Sequence, residues 1–184
     1  MYTHAFLKRE NFPPSFTLCT AFRVDAWTEY MSAKLFVLRD NRGEVWNWAN
    51  IFAATSYTEF SFQFEDSTRF SGLSKILSYP LQWTRICLSK DSDTSQARLV
   101  VDGELLVEKE VRVKKNPDSI ELVLGMYGRN REYPGQTTDL NIFSSALPVE
   151  QMKSQTSPGN EKCGLAGDFL SWERCVEEEQ WTLQ

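Results

Sequence analysis

The chain has 184 residues, of which 41% are hydrophobic and 13% aromatic, so it can bury a sizeable core and is not a disordered chain. Its 25 acidic and 20 basic residues are interspersed and give a net charge of −5, with no basic stripe of the kind that attracts nucleic acid or anionic lipid. No apolar segment is long enough to cross a bilayer. We therefore expect one domain that binds no nucleic acid and does not insert into a membrane.

The first strongly strand-like stretch, residues 16–24, follows an N-terminal arm, residues 1–13. Its side chains alternate with a period of two, which is typical of a β-strand whose two faces meet different surroundings. The alternation predicts a strand with Cys19 inside it. The two alternating sets are Phe16, Leu18 and Phe22 on one side, and Thr17, Cys19 and Ala21 on the other.

Many further short strands are predicted, separated by turns rich in Asp, Asn, Gly and Pro. They cover 33–38, 44–48, 60–64, 85–89, 98–101, 104–109, 120–124, 139–143 and 169–172. The pair Asp102-Gly103 is the strongest hairpin signal, because both residues suit the tight turn that joins antiparallel strands. One short helix is predicted near 148–153, after a proline start. This pattern favours an all-β fold in which two antiparallel sheets form a jelly-roll sandwich.

The chain has four cysteines, an even number that suits two disulfides and therefore an oxidising compartment. Cys163 and Cys175 are close enough in sequence to close a loop, so we expect residues 155–184 to form a disulfide-closed C-terminal wrap. Zinc would need paired cysteines or histidines, and the single histidine, His4, lies beside the terminus. No signal peptide is visible in this chain. Three explanations stay open: a piece of a larger extracellular protein, an incomplete gene model, or free cysteines, and we favour the first two.

Two interpretations are open for the aromatic residues Trp46, Trp48, Phe52 and Tyr57. Ring faces suit sugars or lipid head groups, which predicts a ligand-binding platform. Alternating aromatic residues in a sandwich also bury large apolar areas, which predicts a place in the core. Trp46 and Trp48 share one strand face if the segment is extended, so both lie in the core or both lie on the surface.

The sequence contains little evidence of a catalytic site. A jelly-roll glycosidase needs paired carboxylates on one strand face, and Glu59 with Glu65-Asp66 has the wrong spacing. Serine–histidine chemistry needs a well-placed histidine, and His4 is a poor candidate. We therefore expect a protein that is not an enzyme.

Several segments, in this order along the chain, resemble signatures of the pentraxin domain. They are Phe16-Thr-Leu-Cys-Thr-Ala-Phe, Trp83-Thr-Arg-Ile-Cys-Leu-Ser, Ala97-Arg-Leu-Val-Val-Asp-Gly-Glu, and residues 119–125, 139–152 and 167–172 with Trp181. The resemblance covers residues 14 to 183, so we expect a pentraxin-like domain over 14–184. It implies the concanavalin A-like jelly roll shared with laminin G-like domains, and a Cys19–Cys87 bridge between neighbouring strands. The Cys163–Cys175 pair lies outside the family's common core.

The resemblance also implies a calcium site built from acidic and amide side chains. Asp40 and Asn41 match the family's Asp-Asn pair, although Asp40-Asn-Arg-Gly43 also suits an ordinary β-turn. The acidic loop that should follow Gly125 holds one carboxylate, Glu132, and two arginines. Calcium takes about six to eight oxygens, more than these side chains supply. We therefore expect a degenerate calcium site and no cofactor.

These observations predict a non-catalytic, extracellular recognition or interaction module. It would form part of a larger secreted or cell-surface protein and bind an extracellular protein or glycan. The alternative is a calcium-dependent, lectin-like binder of glycans or phospholipid head groups. Because pentraxins often form rings, the resemblance also allows an oligomer.

Overall fold

The computed structural model describes residues 5–24, 31–40, 45–54, 57–63, 69–72, 82–111, 119–124, 135–158, 165–171 and 182–183. These ranges form two antiparallel sheets and one helix, α1 (Val149–Thr156). In spatial order, the first sheet contains β13 (Thr182–Leu183), β1 (Ala5–Glu10), β10 (Ser119–Leu124), β3 (Met31–Asp40), β4 (Val45–Ala54), β5 (Tyr57–Gln63) and β6 (Arg69–Gly72). The second sheet contains β12 (Leu170–Ser171), β11 (Gly135–Phe143), β2 (Phe16–Val24), β7 (Trp83–Asp91), β8 (Gln96–Val101) and β9 (Glu104–Glu110).

This arrangement confirms the expected all-β, two-sheet jelly-roll sandwich with one short helix. The segment 1–13, described from the sequence as an arm, contains β1, which pairs with β10 along its whole length. The helix runs past its predicted end at 153 to Thr156. It stops there because Ser157 is extended, a conformation that the following proline favours. Among the described residues, no helix has the length and apolar character needed to span a bilayer.

The main hydrophobic core lies between the two sheets. The predicted alternation of β2 explains how the strand reaches it, because Leu18 and Phe22 face the core while Cys19 faces the other way. Each large apolar side chain that is fully buried here stabilises the fold by about 1.5–3 kcal/mol. The largest of them are Phe16, Phe22, Phe36, Leu18, Leu38, Ile86 and Leu88.

A second, smaller apolar cluster lies on the outer face of the second sheet, beneath α1. It consists of Cys19, Cys87, Val100, Phe143, Leu147 and Met152. The segment leading into the helix is fastened to β2 by Thr17, whose Oγ1 donates a hydrogen bond to the Ser145 carbonyl (2.9 Å) and accepts one from the Leu147 N–H (2.8 Å). The central strand β2 is therefore buried on both faces along much of its length.

The Asp102-Gly103 hairpin is confirmed: it joins β8 to β9. Asp102 has φ 46° and Gly103 has φ 84°, the positive values that a type I′ turn requires at both central residues. The Gly103 N–H donates to Thr156 Oγ1 at 3.0 Å, which ties the turn to the end of α1. A Cβ at Gly103 would lie 3.2 Å from Ser157 Oγ, so both the backbone conformation and the space favour glycine here.

Candidate functional site

Of the residues expected to form the calcium site, Asp40 is the one that lies within the described part of the chain. Asp40 is the last residue of β3 and pairs with Ile120, at the start of β10. The strand β10 ends at Leu124, which pairs with Phe36, and this point is about 13 Å away along the sheet. Asn41 and the loop 125–134 lie outside the described residues, so the carried-over calcium role of Asp40 and Asn41 stays a prediction.

The degenerate calcium site expected from the sequence stays a prediction. Within those ranges, no group of three or more His, Cys, Asp and Glu side chains is placed to hold a metal ion. The sequence supplies only Glu132 as a further carboxylate in the loop after Gly125. Asp40, Asn41 and Glu132 supply fewer side-chain oxygens than the about six to eight that calcium takes, so these residues do not fit the ion.

The two tryptophans predicted as a platform both lie on β4. Trp48 pairs with Val37 of β3 and with Gln63 of β5. Trp46 falls in a register irregularity, because β3 pairs with Asn47 and then with Val45 and skips the residue between them. A β-bulge of this kind interrupts the alternation of faces. The shared face of Trp46 and Trp48 therefore stays a prediction, as does their role in ligand binding.

The expected bridge between Cys19 and Cys87 is present and joins neighbouring strands of one sheet. The two residues are direct cross-strand partners with a Cα–Cα distance of 4.1 Å, and both are buried. The bridge fixes the register of β2 against β7 at the centre of the second sheet. Cys163 and Cys175 lie outside the described residues, and their pairing stays a prediction.

The outer face of the second sheet is covered by α1 on one half and open on the other. Cross-strand pairs run from the covered to the open half in the order Cys19–Cys87, Ala21–Arg85 and Arg23–Trp83. On the far side of β2, Gln136 pairs with Arg23. We call the open half the Trp83 face; it consists of Arg23, Trp83, Arg85, Gln136 and Asp139.

Trp83 is the aromatic residue of this face, and 42% of its surface is exposed. The Arg23 guanidinium carbon lies 5.3 Å from the centre of its ring, a cation–π contact between directly paired residues. Because Trp83 begins the strand that carries Cys87, the indole is held on a backbone anchored by the disulfide. The face therefore presents a large aromatic side chain on a strand that a disulfide links to its neighbour.

An ion pair crosses the central strand of this face. Arg85 on β7 and Asp139 on β11 both flank β2, and neighbouring strands lie about 4.8 Å apart. Their side chains still approach to 3.5 Å, between Arg85 Nη1 and Asp139 Oδ2. Ala21, the β2 residue between them, is only 1% exposed. Its small side chain leaves room for the pair to lie over the strand.

Asp139 is aimed by local backbone structure. It has φ 55°, uncommon outside glycine, and it lies where the pairing of β11 with β2 shifts register. The Asn141 side chain stabilises this bulge, because its Nδ2 donates to the Asp139 carbonyl (3.1 Å) and its Oδ1 accepts from the Gly167 N–H (3.0 Å). The bulge thus redirects the chain at the residue that reaches Arg85.

A second carboxylate lies beside Arg85 from the hairpin side. Asp102 Oδ1 accepts a hydrogen bond from the Arg85 N–H at 2.8 Å, and the Asp102 N–H donates to the Arg85 carbonyl at 2.9 Å. Burial raises the pKa of Asp102, and the hydrogen bond and charge of Arg85 oppose this shift. Arg85 therefore lies between Asp139 and Asp102, and the charges of this part of the face are largely balanced.

The sequence interpretation did not single out the Trp83 face. One signal for it was present: Trp83, Arg85 and Cys87 alternate along one strand and must share a face. The contribution of Asp139 has no local signal, because it depends on a bulge and on the order of strands in the sheet. What the arrangement offers chemically is an exposed aromatic surface next to adjacent hydrogen-bond donors and acceptors.

No family model matches the chain. Jeltraxin from Lepidobatrachus laevis is 30% identical over 103 residues, which are 50% of this chain and 44% of that protein. The matched region therefore spans less than half the length of this curated relative.

Two solved structures share the architecture. A native heptameric SAP-like pentraxin from Limulus polyphemus has a TM-score of 0.77 at 14% identity, covering 100% of this chain and 86% of that chain. The CBM40 module of the Ruminococcus gnavus IT-sialidase, solved with α2,3-sialyllactose, has a TM-score of 0.56 at 13% identity, covering 78% of this chain and 82% of that one. At such identities the likeness concerns the fold alone.

Proposed function

We propose that this chain, a pentraxin-like jelly-roll domain, is a non-catalytic recognition module that binds an extracellular glycan or protein. The observation that carries the proposal is the exposed indole of Trp83, held on a strand that a disulfide anchors. Tryptophan is enriched at binding interfaces, because its ring offers a large apolar area together with a polar N–H group. The jelly-roll fold alone does not determine the function, because one fold serves many functions.

The polar groups of the Trp83 face support binding and not catalysis. Asp139 is ion-paired with Arg85, and Asp102 accepts a hydrogen bond from the backbone of Arg85. A general acid or base must exchange a proton with its substrate, and these carboxylates are instead engaged by a permanent cation and a backbone donor. We therefore propose that the face positions a ligand without changing it.

An extracellular setting is part of the proposal. The buried Cys19–Cys87 disulfide is of the kind that forms in oxidising compartments. The glycan ligand of the sialidase module supports a glycan as one ligand class for this chain. We also propose that the chain works as part of a larger secreted or cell-surface protein.

An oligomer is a further part of the proposal, supported by the heptameric state of the Limulus pentraxin. The molar mass of the purified chain in solution, measured by light scattering, tests it. A multiple of the 21.3 kDa chain mass is expected, and a monomer at every concentration would contradict it.

The alternative, a calcium-dependent lectin-like binder of glycans or phospholipid head groups, rests on Asp40 and Asn41. A ligand that binds the native state raises its melting temperature, so a calcium titration followed by thermal unfolding separates the two proposals. We expect no shift at millimolar calcium, and binding to glycan or protein arrays that survives EDTA. A calcium-dependent rise in melting temperature that is lost in Asp40→Ala would favour the alternative. Blank glycan, lipid and protein arrays, with and without calcium, would contradict the recognition function itself.

A further inference from the structure

We propose that the Trp83 face is a calcium-independent saccharide-binding site. One neutral sugar ring would lie against Trp83, and two neighbouring hydroxyls of that ring would be bound by the Arg85–Asp139 pair. The inference rests on the proposed recognition function and adds to it a ligand class and a location.

The aromatic part of the argument is the exposure of Trp83. Burying a tryptophan removes a large apolar area from water. Trp83 nevertheless remains 42% exposed, although α1 covers the same strand at Cys87. The Arg23 guanidinium carbon lies over one face of the indole, 5.3 Å from the ring centre, so the sugar would lie against the opposite face. The C–H face of a sugar ring is an apolar surface of suitable size to cover such a ring.

The polar part of the argument is the Arg85–Asp139 pair. A sugar hydroxyl both donates and accepts, so two adjacent hydroxyls can donate to a carboxylate and accept from a guanidinium at the same time. Arg85 Nη1 and Asp139 Oδ2, 3.5 Å apart, offer those two functions side by side. Both side chains are partly exposed, at 18% for Arg85 and 31% for Asp139, so a ligand can reach them.

The spacing of the two parts suits one ring. Trp83 and Arg85 are two positions apart on the same strand face, which separates their Cβ atoms by about 7 Å. Ala21 lies beneath the ion pair and is only 1% exposed, so no gap opens between the pair and the strand below it. Gln136, an exposed residue that pairs with Arg23 across from Trp83, marks the edge of the face.

Charge favours a neutral saccharide over an acidic or basic peptide. Arg85 is flanked by Asp139 and Asp102, and Arg23 is stacked on Trp83. Because the positive and negative side chains of this face largely neutralise one another, a charged partner would gain little electrostatic attraction from it. It can still exchange hydrogen bonds with a neutral polyol, which needs donors and acceptors without net charge.

The test is a printed array of neutral oligosaccharides, probed with the full chain in EDTA, followed by calorimetric titration with the oligosaccharide that binds. Trp83→Ala removes the ring, and Asp139→Asn removes the carboxylate while keeping a residue that tolerates positive φ. We expect each to weaken binding by about tenfold or more. Leu165→Ala is the matched control, because Leu165 is 46% exposed and lies beside α1. It should leave binding unchanged.

Melting temperatures of the variants show whether each one is folded, and Asp139→Asn keeps the test decisive if Trp83→Ala fails to fold. Array binding in EDTA that survives both substitutions would overturn the site. Array binding that requires calcium would also overturn it and leave the recognition function standing. A blank oligosaccharide array would overturn it too, while the protein and lipid arrays would separately decide the recognition function.

Discussion

Asp168 shows at the scale of one residue how a surface carboxylate secures the chain. It accepts a hydrogen bond from the Ser144 N–H at 2.7 Å and another from the Ser144 hydroxyl. Partial burial raises the pKa of Asp168, but the hydrogen bonds from Ser144 and from the backbone N–H groups of Asp168 and Phe169 together outweigh it, and the net shift is downward. The contacts join the segment before β12 to the end of β11.

Asp168→Asn should therefore destabilise the protein in a pH-dependent way. The folded pKa of Asp168 lies below its ordinary value of 3.8, so its stabilising contribution is present above that pH and is lost as the pH falls through the folded pKa. Urea unfolding of wild type and variant across this pH range should show a free-energy difference that narrows on acidification. The exposed Asp93→Asn serves as the control, and a gap that stays constant at every pH would contradict the assignment.

The disulfide offers a second residue-scale prediction. Replacing Cys19 and Cys87 together by alanine removes the bridge without leaving a free thiol, and should cost about 2–5 kcal/mol of unfolding free energy. Denaturant unfolding in the presence and absence of a reductant measures it. Reductant should lower the stability of the wild type only. An unchanged melting temperature in the double variant would show that the bridge does not form.

At the scale of elements, α1 depends on its packing. It has eight residues, too few for a helix to be stable alone in water. Its buried residues are Met152, Gln155 and Thr156, and Met152 is 0% exposed in the cluster that surrounds the disulfide. Thr156 also accepts the Gly103 N–H. The helix, the hairpin and the disulfide thus stabilise one another.

Met152→Ala should destabilise the protein by about 2–5 kcal/mol, because it leaves a cavity between α1 and the second sheet. Gln151→Ala, on the exposed side of the same helix, should change stability by about 0.5 kcal/mol or less. Chemical unfolding of the two variants gives the comparison. Equal stability of Met152→Ala and Gln151→Ala would mean that α1 does not pack as described.

For the whole molecule, the second sheet has two different outer surfaces on one scaffold. Where α1 covers it, the residues are apolar and include the disulfide; beyond Ala21, the surface is open and carries Trp83, Arg85 and Asp139. The covered half stabilises β2 and β7, the strands that support the open half. The buried, stabilising half and the half that we propose for recognition therefore lie at opposite ends of the same two strands.

Much of the fold could be predicted from the sequence because its signals are local. Alternation along 16–24, the Asp102-Gly103 turn and the proline start of α1 each concern neighbouring residues. The sequence analysis does not predict β1, β6 or β13, since β1 mixes an apolar run with charges, β6 has only four residues and β13 has two. Strands of this kind form because a partner supplies the hydrogen bonds, as β10 does for β1.

The sequence by itself determined the two-sheet sandwich, the position of Cys19 on a strand and, through the resemblance, its bridge to Cys87. The candidate site named from the sequence, Asp40, Asn41, Trp46 and Trp48, stays a prediction. Only the tertiary structure decided the Trp83 face. The reason is physical: Arg85 and Asp139 come from strands that are distant in sequence and meet across β2, and a bulge with positive φ aims the carboxylate. No local pattern encodes which strands flank a third.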